Sequence, residues 1–270
     1  MAVLRVAIAG FGAIGATVAE RLDRGIEGLA LVAVSARDAE AARARMAGRL
    51  ARPVPVVPLG ELAERAEIVV ECAPAAVFRA VAEPAVRAGR IVLPLSVGAL
   101  LDHFDLVELA RTTGARILPP TGALLGLDAV RAAAEGTIRS VRMVTRKPPA
   151  GLAGAPYLVE RGITLDRLDA PVRVFEGTAR EGAKGFPANL NVAAALALAG
   201  IGPDRTMLEI WADPTVTRNT HRIEVEAEEA SFTMTIANLP SAENPRTGRL
   251  TALSVVAALR RLTAPFAVGT

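Results

Sequence analysis

The sequence predicts an α/β chain in two parts: a doubly wound parallel sheet, followed by a second α/β (α+β) domain built on a mostly antiparallel sheet. Three observations predict it. The near-continuous apolar run Leu4-Arg5-Val6-Ala7-Ile8-Ala9 reads as a strand buried on both faces, and it passes through a glycine turn into helical spacing, with Ile14, Val18 and Leu22 on one face. Buried strands and helical stretches then alternate as far as Pro119. Beyond Pro119 the periodicity changes, and strands with one apolar face dominate.

The turn after the first strand, Gly10-Phe11-Gly12-Ala13-Ile14-Gly15, comes in the order a dinucleotide requires. Gly10 permits the tight turn, and Gly12 removes a side chain that would strike a pyrophosphate. Gly15 allows helix and strand to approach closely. The helix beginning at Ala13 and Ile14 directs its N-terminus at the phosphates. The first domain is therefore read as a Rossmann fold that binds NAD or NADP through Gly10, Gly12, Ala13, Ile14 and Gly15.

Leu29 to Ser35 forms the second strand. An acidic residue at its end would bond the adenosine ribose of NAD, but the chain reads Ser35-Ala36-Arg37-Asp38. Arg37 tilts the site toward the additional phosphate of NADP, while Asp38 is equally suited to N-capping the Ala-rich helix that follows. Pro53 to Pro58 is extended, Leu59 to Arg65 a brief helix, and Glu67 to Cys72 the third strand. Ala73 and Pro74 then open a helix ending near Gly89. They sit on the kind of strand-end loop that borders the nicotinamide half of a cofactor. Cys72 closes an apolar strand and is read as a small core residue. Strand Arg90 to Leu95, turn Ser96 to Ala99, helix Phe104 to Thr113 and strand Ala115 to Leu118 complete residues 1–119 as the dinucleotide-binding domain.

The stretch Pro119 to Asp128 is the hinge into a second domain, residues 120–244. Strands are expected at Thr137 to Arg146, Val172 to Gly177, Thr206 to Ala212, Asn219 to Ala227 and Ser231 to Asn238. Helices are expected at Leu127 to Glu135, Ala179 to Lys184 and Ala188 to Ala199. In the last strand pair Asn219, His221, Ile223 and Val225 share one face. An amphipathic helix within residues 245–270 is expected to complete the first domain.

Composition excludes several functions. A chain of 270 residues with 51% hydrophobic content supports two cores, and no uncharged apolar stretch reaches membrane-spanning length. The opening residues lack the features of a secretory leader, so the protein is expected to be cytoplasmic. One cysteine and two histidines argue against disulfides and a metal site. The net charge of +3 comes from scattered arginines, aromatics are 3%, and nucleic acid is not an expected partner. The positive balance suits an anionic cofactor and an anionic substrate. Lys147 and Lys184 are the only lysines, and one of the two is expected to contact substrate.

Five segments occur in order: Gly10 to Gly15; Pro120-Thr121-Gly122-Ala123 with Gly126-Leu127-Asp128; Thr145-Arg146-Lys147-Pro148-Pro149; Gly185-Phe186-Pro187-Ala188-Asn189-Leu190-Asn191-Val192; and Asn219-Thr220-His221-Arg222-Ile223. Together they resemble the L-aspartate dehydrogenase family across nearly the whole chain. Leu125 departs from the pattern, standing where a second glycine would precede Gly126. The resemblance implies a homodimer that oxidises L-aspartate to iminoaspartate with NAD or NADP. Iminoaspartate serves as a precursor for NAD synthesis or hydrolyses to oxaloacetate and ammonia. The resemblance also implies that Ala123 and Asn189 contact cofactor and that His221 is the catalytic histidine.

The chemistry of the residues agrees with this. Removing a hydride from an amine-bearing carbon requires a neutral amine, hence a base within reach, and an imidazole suits the task. His221 is the better-placed histidine, since His103 opens a helix in the first domain. The substrate's two carboxylates require fixed cations and amides, for which Lys147, Lys184 and Asn219 are candidates alongside Arg146 and Arg218. An aspartate-semialdehyde type of dehydrogenase would need a cysteine in the second domain, and a dihydrodipicolinate-reductase type a histidine pair and a lysine near the hinge; neither is present. A regulatory protein that binds dinucleotide without turnover is the remaining alternative. In the catalytic reading, an acidic amino acid is clamped between nicotinamide and imidazole.

Overall fold

Leu4–Ala9 forms β1 because its small and β-branched residues are flanked on both sides by parallel strands, so that Val6 to Ala9 lose all contact with water. In the computed structural model, residues 3–187, 190–241, 243 and 247–269 are described. The chain divides into two compact units, Met1–Gly122 with Thr251–Ala267, and Ala123–Leu250 with Val268–Thr270.

In the first unit β1 is joined by β2 (Leu29–Ser35), β3 (Ile68–Glu71), β4 (Ile91–Pro94) and β5 (Arg116–Ile117) in the order β2-β1-β3-β4-β5, every pair parallel. The order reverses at β1, so the loops leaving β1 and β3 lie side by side, the place where such sheets bind ligands. Helices α1 (Ala13–Asp23) and α2 (Ala39–Ala47) pack Val18, Leu22, Ala42 and Met46 into the same core as Val6, Ile8, Val34 and Val70. The helix Arg249–Thr263 contributes Val255 and Leu259 to that core, and Thr263 Oγ1 donates to the Glu27 carbonyl at 2.8 Å.

The second unit holds β6 (Ile138–Lys147), β7 (Val172–Thr178), β8 (Thr206–Ala212), β9 (Asn219–Ala227) and β10 (Ser231–Asn238) in the order β10-β9-β6-β8-β7. All its pairs are antiparallel except β6 with β8. Strict alternation puts Val141, Met143, Leu208, Ile210, Ile223 and Val225 on one face, where residues of the helices Leu127–Ala134, Ala179–Gly185 and Asn191–Ala199 join them in a core. The other face is polar. A shallow depression of about 480 Å³ there is lined by residues that include Arg142, Arg146, Glu209 and Trp211. The Glu209 carboxylate accepts from Trp211 Nε1 at 2.9 Å and pairs with Arg142.

Two local features differ from the sequence expectation. The turn after β4 is a helical turn, Val97–Leu100, and a short helix Pro156–Glu160 lies in a stretch with no expected element. In the latter, Pro156 pre-sets the first turn, and Leu158 and Tyr157 meet Phe175 and Phe186, so the helix is stabilised by tertiary contacts and not by its own periodicity. Among the described residues no helix is long and apolar enough to cross a membrane, and no cluster of three or more His, Cys, Asp or Glu could hold a metal ion.

Candidate active site

The glycine turn forms an anion cradle. Gly10 has φ +96°, a backbone that L side chains rarely adopt, and a Cβ there would lie 2.6 Å from the Cys72 carbonyl oxygen on the neighbouring loop. A Cβ on Gly15 would sit 2.0 Å from the Gly10 oxygen, so the close approach of α1 to β1 depends on its absence. Gly12 is different: it caps α1, and an added Cβ would meet nothing within 4 Å. No side chain caps this helix and no acid occupies its first turn, which leaves the N–H groups of Ala13, Ile14 and Gly15 to an outside acceptor. The residues present fit the pyrophosphate of a dinucleotide.

The strand-end loops are fixed by Glu71. Its fully buried carboxylate accepts from Ala73 N at 3.0 Å, Leu95 N at 3.2 Å, Ser96 N at 2.9 Å and Ser96 Oγ at 3.1 Å. Burial raises its pKa, and these hydrogen bonds oppose the rise without cancelling it. Sequence reasoning did not single out Glu71, although an acid inside an otherwise apolar strand was the available signal. Cys72 packs against the core of this unit, and burial, with a smaller effect of Glu71, pushes its thiol well above the ordinary value. At the end of β2, Arg37 is exposed and Asp38 is the N-cap of α2, accepting from Ala41 N at 2.9 Å.

The second unit gathers its polar groups at one end of the sheet. Across β6 and β9, Thr145 pairs with His221, and Thr145 Oγ1 lies 3.2 Å from His221 Nδ1. Lys147, two residues along β6, projects from the same core-side face and pairs in register with Ala212. Thr145, His221 and Lys147 are 0%, 3% and 4% exposed. Burial lowers Lys147 to about 8. It lowers His221 to about 3, and the nearby Lys147 charge adds to the effect. At neutral pH the arrangement is a neutral imidazole beside a buried ammonium, a setting that attracts a carboxylate and offers a proton acceptor to an amine.

Asn219 shares the His221 face, and its register partner is Asn238, whose Nδ2 donates to the Ala123 carbonyl at 2.8 Å. Ala123 is thereby tied to the same end of the sheet as His221. Lys184 is exposed on the helix Ala179–Gly185, and its charge acts on Asp204, ahead of β8 and far along that strand from the partner of Lys147. Asn189 lies outside the described residues. His103 stacks on Phe78 with ring centroids 5.7 Å apart, in the first unit. Sequence reasoning did not anticipate the contact of Thr145 with His221. Only strand register reveals it, since 76 positions separate the two residues.

Comparison with known proteins follows the same division. Residues 10–120 match the family described as homoserine dehydrogenase, NAD binding domain, and residues 128–262 the family described as aspartate dehydrogenase, C-terminal. The chain is 61% identical over 267 residues to L-aspartate dehydrogenase of Bradyrhizobium diazoefficiens, covering 99% of this chain and 94% of the relative. It is 58% identical to L-aspartate dehydrogenase 3 of Bordetella bronchiseptica over 99% of this chain and 98% of that one. Its fold resembles the crystal structure of aspartate dehydrogenase from Thermotoga maritima, with a TM-score of 0.74 and 24% identity over 98% of this chain and 99% of the other. With near-full-length identity this high, the chain belongs to the L-aspartate dehydrogenase family.

Proposed function

We propose that this protein oxidises L-aspartate to iminoaspartate with NAD or NADP, and catalyses the reverse reductive amination of oxaloacetate with ammonium. The observation that carries the reading is His221 and Lys147 buried on the same face of one sheet, with Thr145 Oγ1 3.2 Å from His221 Nδ1. The near-full-length relatives named above support aspartate as the substrate.

The bound dinucleotide supplies the hydride acceptor. Gly10, Gly12, Ala13, Ile14 and Gly15 would hold its pyrophosphate, with Ala73 and Pro74 on the neighbouring loop, and the family resemblance assigns Ala123 and Asn189 to the cofactor as well. Arg37 accommodates a ribose phosphate, which favours acceptance of NADP. Lys147 pairs with a substrate carboxylate and Asn219 donates an amide hydrogen bond to it, with Lys184 a weaker candidate. His221 takes a proton from the substrate ammonium at Nε2. The amine lone pair then forms the C=N bond as hydride leaves Cα, and water converts the imine to oxaloacetate and ammonia. Arrival of the substrate's negative charge raises the proton affinity of the imidazole at the moment it is needed.

We also read the protein as a cytoplasmic homodimer, organised as a dinucleotide-binding domain and a catalytic domain, whose product supplies NAD synthesis. Family resemblance supports the dimer, and light scattering tests it. The activity is tested by following NAD(P)H absorbance with L-aspartate, and with oxaloacetate plus ammonium. His221→Ala is expected to lower turnover by about two to four orders of magnitude while cofactor affinity stays constant. Undiminished turnover in that variant, or no aspartate-dependent signal in the wild type, overturns the reading.

A further inference from the structure

The two ring nitrogens of His221 have different surroundings. Nδ1 faces the Thr145 hydroxyl at 3.2 Å, and Thr145 is fully buried on the central strand of its sheet. Its position is set twice. β6 is paired along both edges, with β8 and β9, and a β-branched side chain has few χ1 choices. No other hydrogen bond to the ring is present among the described residues. Nε2, on the other side of the ring from Thr145, is the nitrogen not engaged by that hydroxyl.

We propose that Thr145 is a positioning residue that holds His221 as the Nδ1–H tautomer, so that the Nε2 lone pair is the one presented to the substrate ammonium. The proposal deepens the assignment of His221 as the base and rests on it. A hydroxyl can donate or accept, and Thr145 Oγ1 is here assigned the acceptor role. If Thr145 donated to Nδ1, Nε2 would carry the hydrogen and could not take a proton. With Thr145 accepting from Nδ1–H, Nε2 is free. Once Nε2 has taken the substrate proton, the imidazolium keeps the same Nδ1–H donation and the ring need not turn. The neutrality of threonine has its own consequence. A carboxylate in its place would raise the proton affinity of the ring and compete for Lys147, whereas a hydroxyl orients the ring without adding a charge beside that lysine.

The test combines kinetics with ¹⁵N NMR of histidine-labelled protein. With only His103 and His221 in the chain, His103→Gln identifies the His221 signals. The wild type is expected to show a protonated Nδ1 and an unprotonated Nε2. Thr145→Val is expected to move the ring toward Nε2–H and to lower kcat about 10- to 100-fold, with KM for aspartate and cofactor affinity little changed, and Thr145→Ser is expected to restore both. An Nε2–H ring in the wild type overturns the proposal, even where Thr145→Val fails to fold. Wild-type kcat in a folded Thr145→Val also overturns it. Wild-type kcat in Thr145→Val beside a crippled His221→Ala removes only the positioning role, whereas full turnover in His221→Ala removes the catalytic reading of the imidazole itself.

Discussion

Replacing Lys147 with methionine should make the protein more stable and less active at once. The ammonium is 4% exposed, and its pKa falls from 10.5 to about 8 through burial. A fall of this size means that at neutral pH the folded state carries the charge at a cost of about 3 kcal/mol, taking about 1.4 kcal/mol per unit. Methionine has a similar unbranched shape without the charge, so Lys147→Met should gain up to about 3 kcal/mol at pH 7. The pH dependence fixes the cause. Because the folded pKa lies below the unfolded one, the unfolded chain binds more protons between about 8 and 10.5, and wild-type stability rises through that window. The advantage of the variant should therefore be full below pH 8 and vanish near 10.5. Urea unfolding of both proteins from pH 7 to 10.5 measures the difference directly, with other titrating groups cancelling. Loss of the cation should also reduce kcat/KM for aspartate by at least about 30-fold, the equivalent of about 2 kcal/mol for an unpaired buried carboxylate. A stability difference that does not change with pH would refute the assignment of the shift to desolvation, and an unaltered kcat/KM would refute the role in substrate binding.

Other perturbations separate structure from chemistry in the same way. Gly12→Ala should leave the urea midpoint within experimental error, because its Cβ meets nothing, yet weaken dinucleotide binding in a fluorescence titration. Gly15→Ala should destabilise the first unit by about 2 kcal/mol or more in the same unfolding assay, because its Cβ would lie 2.0 Å from a backbone oxygen. Glu71→Gln turns an amide NH₂ toward at least one backbone N–H, Ala73 N in one orientation and Leu95 N and Ser96 N in the other, and should cost about 1–3 kcal/mol in unfolding experiments. His221, lowered from 6.5 to about 3, contributes a stability loss that grows as pH falls below 6.5, since the unfolded chain then binds the extra proton. His221→Gln should accordingly gain about 2 kcal/mol relative to the wild type between pH 7 and pH 5, measured by the same unfolding curves.

Local interactions made the first unit readable. Strand, glycine turn and helix each leave a mark within a dozen residues, and Gly10 and Gly15 are required by contacts to β3 and β1 that any such turn would make. Asp38 was legible as the N-cap of the Ala-rich helix, and the observed bond from Ala41 N is that cap. The helix Pro156–Glu160 escaped notice because five residues are too few for a period to register.

By itself the sequence determined the order of strands and helices and the dinucleotide turn, and it singled out His221 as the candidate base, since these depend on neighbours along the chain or on a residue type that occurs only twice. Tertiary structure alone decided which lysine is buried and what His221 touches. β6 pairs with β8 across a long crossover and with β9 at a register that sets Thr145 opposite His221, and that register also puts Lys147 on the apolar side of the sheet. The physical reason is that desolvation and hydrogen bonding act through space. An ammonium becomes a functional group of unusual pKa only when strands remote in sequence close over it, while Lys184, on an exposed helix, remains among solvated charges.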